Sequence, residues 1–199
     1  MLAFYMQLVL DSAMNWKTTD FDYTLPTALI AQTPLAQRSA SRLLHLDRHS
    51  GVIGHHQFVD VLNLVNSNDL LIFNNTKVMP ARLFGRKASG GRIEVLIERI
   101  LDSHTALAHI RASKSPKPGT ELVLEPNLGV HVVERVDDLF KLQFATTQSI
   151  EPLLWQHGQL PLPPYIERSV AAADYERYQT VFAEVTGAIA APTASLHFD

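Results

Sequence analysis

Through the middle of the chain apolar and polar positions alternate with a period of two, which predicts strands rather than helices. In 92–99, Ile93, Val95 and Ile97 share one face while Glu94 and Glu98 take the other. In 139–144, Phe140, Leu142 and Phe144 alternate with Lys141 and Gln143. Further strands are predicted at 82–87, 105–111, 121–124 and 130–136. The breaks between them carry turn residues: Ala88-Ser89-Gly90-Gly91, Pro118-Gly119, Asn127-Leu128-Gly129 and Asp137-Asp138. Short strands at this spacing predict a small antiparallel barrel or sandwich over 71–147.

The flanks read differently. Val61, Leu62, Leu64 and Val65 suggest a short helix over 60–65, and 69–74 (DLLIFN) is a continuous apolar run that predicts a strand. Ser149 stands where it can cap a helix running through Trp155 and closed by Gly158, with Pro152 in the tolerant first turn. Three prolines in 160–165 (LPLPPY) impose an extended path. Asp174 opens another predicted helix, with Tyr175, Tyr178, Val181 and Phe182 on one side. Segments 14–70 and 148–199 therefore read as parts of one α/β domain into which 71–147 is inserted. Residues 1–10 are apolar but shorter than the roughly 20 residues that span a bilayer. They lack a basic leader and end at Asp11. Segment 1–13 is read as an extra piece ahead of a start at Met14, the rival being an added helix or strand. No membrane association is expected.

Composition narrows the chemistry. The 199 residues are 46% hydrophobic and 19% charged, as in a globular protein with a core. Cysteine is absent, which removes disulfides, thiolate metal sites and a thiol nucleophile. The net charge of −3 argues against a nucleic-acid partner until its distribution is considered. From Lys77 to Lys117 there are nine Lys/Arg against three acids, leaving eight against seventeen elsewhere. Such segregation suits a phosphate-binding face, and equally a hairpin carrying solvated basic side chains.

Two segments carry candidate chemistry. After the apolar run come Asn74, Asn75, Lys77 and Arg82, amides and cations at a strand end where α/β sheets bind ligands. The same asparagines can simply bond their own backbone in a turn. Segment 187–198 (GAIAAPTASLHF) is rich in small residues that permit close approach to a ligand, and His197 can exchange a proton near neutral pH. It also reads as a tightly packed loop around a buried histidine. His55 and His56 are adjacent and point apart on a strand, while His45 and His49 fall in a strand and turn, so no metal site is expected. No Gly-rich dinucleotide fingerprint, P-loop or nucleophile elbow is present.

Taken in order, 20–26 (DFDYTLP), 38–44 (RSASRLL), 69–83 (DLLIFNNTKVMPARL), 87–96 (KASGGRIEVL), 109–114 (HIRASK), 160–166 (LPLPPYI) and 187–198 resemble the S-adenosylmethionine:tRNA ribosyltransferase-isomerase family of queuosine biosynthesis. The resemblance implies an α/β domain with an inserted β-barrel. It implies transfer and isomerisation of the ribosyl group of S-adenosylmethionine onto the 7-aminomethyl-7-deazaguanine base of tRNA, giving epoxyqueuosine and releasing adenine and methionine. S-adenosylmethionine is then a consumed substrate and no cofactor is needed. The partner is a tRNA anticodon loop, the setting cytoplasmic, and a monomer is expected. Such chemistry needs a base beside the sulfonium, where positive sulfur acidifies carbon. It also needs cations for carboxylate and phosphates. Arg82, Arg86, Lys87 and Arg92, with Lys77 nearby, are the expected charge holders. Asn74, Asn75 and Thr193 are the expected hydrogen-bonding groups, and His197 the expected proton-transfer group. Asn68 and Ser195 stand where members usually have glycine, and Ser195 is expected to impair the loop if that position needs positive φ or close approach of a ligand. Members continue beyond Asp199, so the chain alone is expected to be inactive and weakly stable. A non-catalytic RNA-binding barrel is the alternative.

Overall fold

A computed structural model describes residues 17–199, so the extra segment 1–13 and the start at Met14 lie outside the described residues. The chain divides into two compact units, 1–31 and 32–199. In the first, 3₁₀ turns over Thr18–Phe21 and Thr27–Leu29 follow one another, and the Asp20 carboxylate accepts the Lys17 amide at 2.8 Å.

The second unit opens with an antiparallel hairpin, β1 (Arg42–Leu46) and β2 (Ile53–Gln57). Asp47 shapes its turn by accepting the His49 and Ser50 amides at 3.0 and 2.7 Å. A 3₁₀ turn over Phe58–Asn63 stands where a helix at 60–65 was expected. Asp60 sits inside that turn and caps the Gln57 amide at 2.9 Å, and β-branched Val59 and Val61 disfavour a longer α-helix. The strand expected at 69–74 does not form. Strand β3 is Thr76–Val78, because a strand begins where it finds a neighbour, and the first paired residue is Thr76, opposite Val185. Ahead of it Leu70 and Ile72 are 83% and 85% exposed.

From β3 the chain enters a closed barrel. Strands β4 (Arg82–Lys87), β5 (Arg92–Ile100), β6 (Thr105–Ala112), β7 (Glu121–Leu124), β8 (Leu128–Val136) and β9 (Leu139–Phe144) are antiparallel, in the order β4–β5–β6–β9–β8–β7. The alternating apolar phase fills the interior: Ile93, Val95, Ile97, Phe140, Leu142 and Phe144 are all buried. Closure brings β4 against β7 at Gly85, where a Cβ would lie 2.3 Å from the Val123 carbonyl oxygen. Helix α1 (Ile150–His157) plugs one end with Ile150 and Leu154. Ser149 occupies its N-cap position, but the hydroxyl makes no capping bond. Gly158 closes the helix with φ −81°, so its role is close approach rather than left-handed backbone: a Cβ there would meet the Pro80 carbonyl oxygen at 1.8 Å.

Arg82 and Gln159 then exchange both backbone hydrogen bonds, at 3.1 and 2.8 Å, which ties the returning chain to the barrel entrance. The proline-rich segment runs extended and buries Leu160 and Leu162 in a second core with Val78, Tyr178 and Ala191. Helix α2 (Asp174–Arg177) is a single turn and does not reach Phe182 as expected. The side chain of Gln179 turns instead to β3. It accepts the Val78 amide at 2.9 Å and donates to the Val78 carbonyl at 2.8 Å, standing in for a neighbouring strand. Strand β10 (Val185–Ala188) pairs parallel with β3 on the other edge. The entire barrel is thus inserted between two paired strands of an α/β frame. No helix among the described residues is long and apolar enough to cross a membrane.

Candidate functional site

The cations separate into those already engaged and those that are not. Arg82 donates to the Leu162 carbonyl at 3.2 Å, and its Nε lies 3.1 Å from Glu94 Oε1. Lys87 Nζ donates to the Lys114 carbonyl at 2.9 Å, and Lys77 Nζ sits 5.1 Å above the Trp155 ring. Arg38, Arg168 and Arg177 are staples: each donates to backbone carbonyls, and Arg177 holds Leu35 and Ala36 at 2.9 and 2.7 Å. Burial, and then the charge of Arg177, pull the Arg38 guanidinium below its ordinary value, against Glu176 and Asp199. By contrast, Arg86, Arg92 and Arg111 are exposed and make no side-chain hydrogen bond or ion pair among the described residues. Of the expected charge holders, then, Arg86 and Arg92 are unengaged, and Arg111, Lys114 and Lys117 of the same stretch join them.

Around Arg82 the second core approaches the barrel entrance. Burial pushes the Tyr178 phenol up, against the opposing pulls of the Ala191 backbone amide and the Arg82 charge. Tyr178 shares the second core with Ala191 of the small-residue loop. Thr193, two residues beyond Ala191, is exposed and opens a 3₁₀ turn, Thr193–His197. Ser195 lies within that turn. Asp137 is the one non-glycine with positive φ among the described residues, so the positive φ that would make Ser195 costly is not there. Asn74 Oδ1 accepts the Thr76 amide at 2.8 Å, which is the turn reading of this residue. Asn75 receives the Glu184 and Val185 amides on its carbonyl, at 2.9 and 3.0 Å, and leads into the β3–β10 pair. His197 packs its ring 5.4 Å from Phe58, beside a cluster in which Phe198 meets Phe58, Phe73 and Phe182.

Beside β10 a cavity of about 540 Å³ is lined by three acids, Glu98, Asp102 and Glu151, and one cation, Arg99, with Ser149, Thr186 and Gly187 among the rest. Glu98 Oε1 pairs with Arg99 at 3.3 Å, while its Oε2 is buried without a hydrogen-bond partner. The His104 amide, followed by Thr105, holds the Asp102 carboxyl below the usual carboxylate range, against desolvation. This lining favours a cation over a phosphate. Asn75, Arg82 and Thr193 do not line it. The His45 and His56 rings come within 6.2 Å, but no group of three or more His, Cys, Asp or Glu gathers at metal-holding distance among the described residues.

Phe84 and Arg111 were not among the expected site residues, and Tyr178 was expected only on a helix face. Phe84 had a signal: it falls in phase with Arg82 and Arg86 on β4, the outward phase.

Residues 18–199 match the family described as queuosine biosynthesis protein. Two relatives from Coxiella burnetii, strains Dugway 5J108-111 and RSA 331 / Henzerling II, are both named S-adenosylmethionine:tRNA ribosyltransferase-isomerase. Each is 53% identical over 185 residues, covering 93% of this chain and 54% of the relative. The chain thus spans about half the length of these curated relatives. Among solved structures, an S-adenosylmethionine tRNA ribosyltransferase from Thermotoga maritima is 36% identical, over 70% of this chain and 48% of that one, with a TM-score of 0.37.

Proposed function

The chain belongs to the queuosine biosynthesis protein family, and from that premise we propose that it serves an S-adenosylmethionine:tRNA ribosyltransferase-isomerase reaction. In this reading the ribosyl group of S-adenosylmethionine is transferred to the 7-aminomethyl-7-deazaguanine base of tRNA and isomerised to epoxyqueuosine, with release of adenine and methionine. S-adenosylmethionine is consumed as substrate, and the work is done in the cytoplasm, where tRNA resides. The observation that carries the reading is that the family match runs through 18–199, across the barrel and both flanks together. A match confined to the barrel would speak only for an RNA-binding module.

The residues divide the work as follows. Arg86 and Arg92, unengaged on the barrel, hold tRNA phosphates, and Lys87 supports them from the hairpin. Arg82 carries charge at the barrel entrance, where it donates to the Leu162 carbonyl, and Lys77 on β3 adds a second cation above the Trp155 ring. Asn75 and Thr193 offer hydrogen bonds to substrate, and Asn74 only through its amide NH2, since its Oδ1 already holds the Thr76 amide. His197 makes no side-chain hydrogen bond among the described residues, so a ring nitrogen is open to accept a proton. The test is release of adenine from S-adenosylmethionine, dependent on tRNA carrying the aminomethyl base. Turnover that disappears in His197→Phe, with the fold retained, supports the assignment. Turnover unchanged in that variant removes His197 from the chemistry. Wild-type tRNA binding supports the RNA contact that both readings share, for which the three unpaired arginines speak directly, and adenine release on top of it selects the enzyme reading over an RNA-binding barrel.

A further inference from the structure

The outward face of β4, β5 and β6 places one aromatic ring among the unpaired cations. Phe84 is 36% exposed, on a strand whose inward residues are buried. Its register partner on β5 is Glu94, which faces Arg111 on β6. One step along, Arg86 lies directly opposite Arg92. Like charges in directly opposed positions destabilise an antiparallel pair, and nothing among the described residues neutralises these two. Arg82 takes Glu94 into an ion pair at 3.1 Å, so the acid nearest the ring is engaged from one side. Glu125, whose amide donates to the Phe84 carbonyl at 2.9 Å, stands on the other side. Phe84, Arg92 and Arg111 line a hollow of about 410 Å³ together with Ile93, Ala112, Ser113 and Glu94, the one carboxylate in it, which Arg82 already pairs. That volume lies within the range of small-ligand sites.

An exposed aromatic ring costs little to bury, and a ring flanked by unpaired guanidiniums suits a ligand that is flat, apolar on its faces and anionic at its edge. A nucleotide with its base unstacked has that shape and charge, whereas a paired base in a duplex offers no free face. We infer that Phe84, with Arg92, Arg111 and Arg86, forms a nucleotide subsite for single-stranded RNA on the barrel wall. The base stacks on the Phe84 ring and the flanking phosphates fall to the arginines. The subsite takes any base, because stacking does not read base edges. This deepens the tRNA reading above and rests on it: the subsite grips an unpaired nucleotide of the loop, outside the reacting base.

The test titrates the full chain with a labelled single-stranded oligoribonucleotide, an abasic oligomer of the same length and an RNA duplex, at low salt. The single strand is expected to bind most tightly. Phe84→Leu is expected to weaken it about tenfold while leaving the abasic oligomer unchanged. Phe84→Trp is expected to keep the affinity, with its added fluorescence quenched by the oligoribonucleotide and not by the abasic chain. Equal binding of wild type and Phe84→Leu overturns the subsite and leaves the tRNA reading standing. A duplex bound as tightly as the single strand also overturns it. No binding of any RNA by the wild-type chain overturns the tRNA reading along with the subsite.

Discussion

Asp174 is 5% exposed, and its carboxylate accepts two hydrogen bonds from Arg168, at 2.6 and 2.8 Å, and one from the Ala171 amide at 2.7 Å. The Arg168 bonds dominate and hold the carboxyl below its ordinary value, with burial opposing and the Ala171 amide assisting. An unfolded aspartate titrates near about 3.9. Because the folded value is lower, the stability from this carboxylate is complete above the unfolded value and is lost as pH falls through the folded one. Arg168 also donates to the Gln32 carbonyl at 2.7 Å, so the pair braces the start of the second unit. Asp174→Asn is expected to cost about 2 kcal/mol at neutral pH, because it leaves the guanidinium without its anion. Urea midpoints followed from about pH 6 down to about pH 2.5 check this. The wild type should lose stability on the acid side faster than the variant, and parallel acid limbs would place the pH dependence elsewhere.

The junction between α1 and the barrel entrance turns on a glycine without left-handed geometry. In Gly158→Ala the methyl group meets the Pro80 carbonyl, and the backbone bonds between Arg82 and Gln159 lie one residue away, so the clash has no flexible neighbour to absorb it. A loss of about 2–4 kcal/mol is expected. Gly90→Ala, with φ +83° and open space around it, should lose only about 1 kcal/mol. Thermal melts of the two variants side by side decide whether contact or conformation matters at this junction. The barrel strands were legible because each buries one face, so period two survives in 92–99 and 139–144. The order β6–β9–β8–β7 was not legible, since pairing partners are chosen across the chain. Segment 69–74 has the composition of a buried strand, yet composition does not supply a neighbour. The brevity of α2 depends on Gln179 reaching Val78, 101 positions away. Among the site residues, the count of cations was legible and their engagement was not. Arg82 is held by Leu162, 80 positions on, and Lys87 by Lys114, 27 positions on. Phe84 was legible in principle, as an aromatic in the polar phase of β4.

Over the whole chain, charge is divided by sequence position: nine Lys/Arg against three acids from Lys77 to Lys117, and eight against seventeen elsewhere. A net charge of −3 therefore conceals a basic stretch at 77–117, the part of the chain where a polyanion meets an excess of cations. What binds is then set by cations free to release counterions, not by their total. Arg86, Arg92 and Arg111 are unpaired among the described residues, while Arg99 is engaged by Glu98 at 3.3 Å. Each phosphate neutralised on a single strand contributes about −0.7 to the slope of log affinity against log salt. Lys114 and Lys117 likewise make no side-chain hydrogen bond or ion pair among the described residues, so five free cations give a slope of about −3.5, and changing the three arginines to Gln should remove rather more than half of it. Arg99→Gln should leave the slope almost where it was, because removing a cation already held by a carboxylate releases few counterions. Fluorescence anisotropy with a labelled single-stranded RNA across a salt series measures both slopes. If Arg99→Gln flattens the line as much as the triple variant, affinity follows total charge, and the engagement of individual side chains would not be what selects the RNA-facing surface.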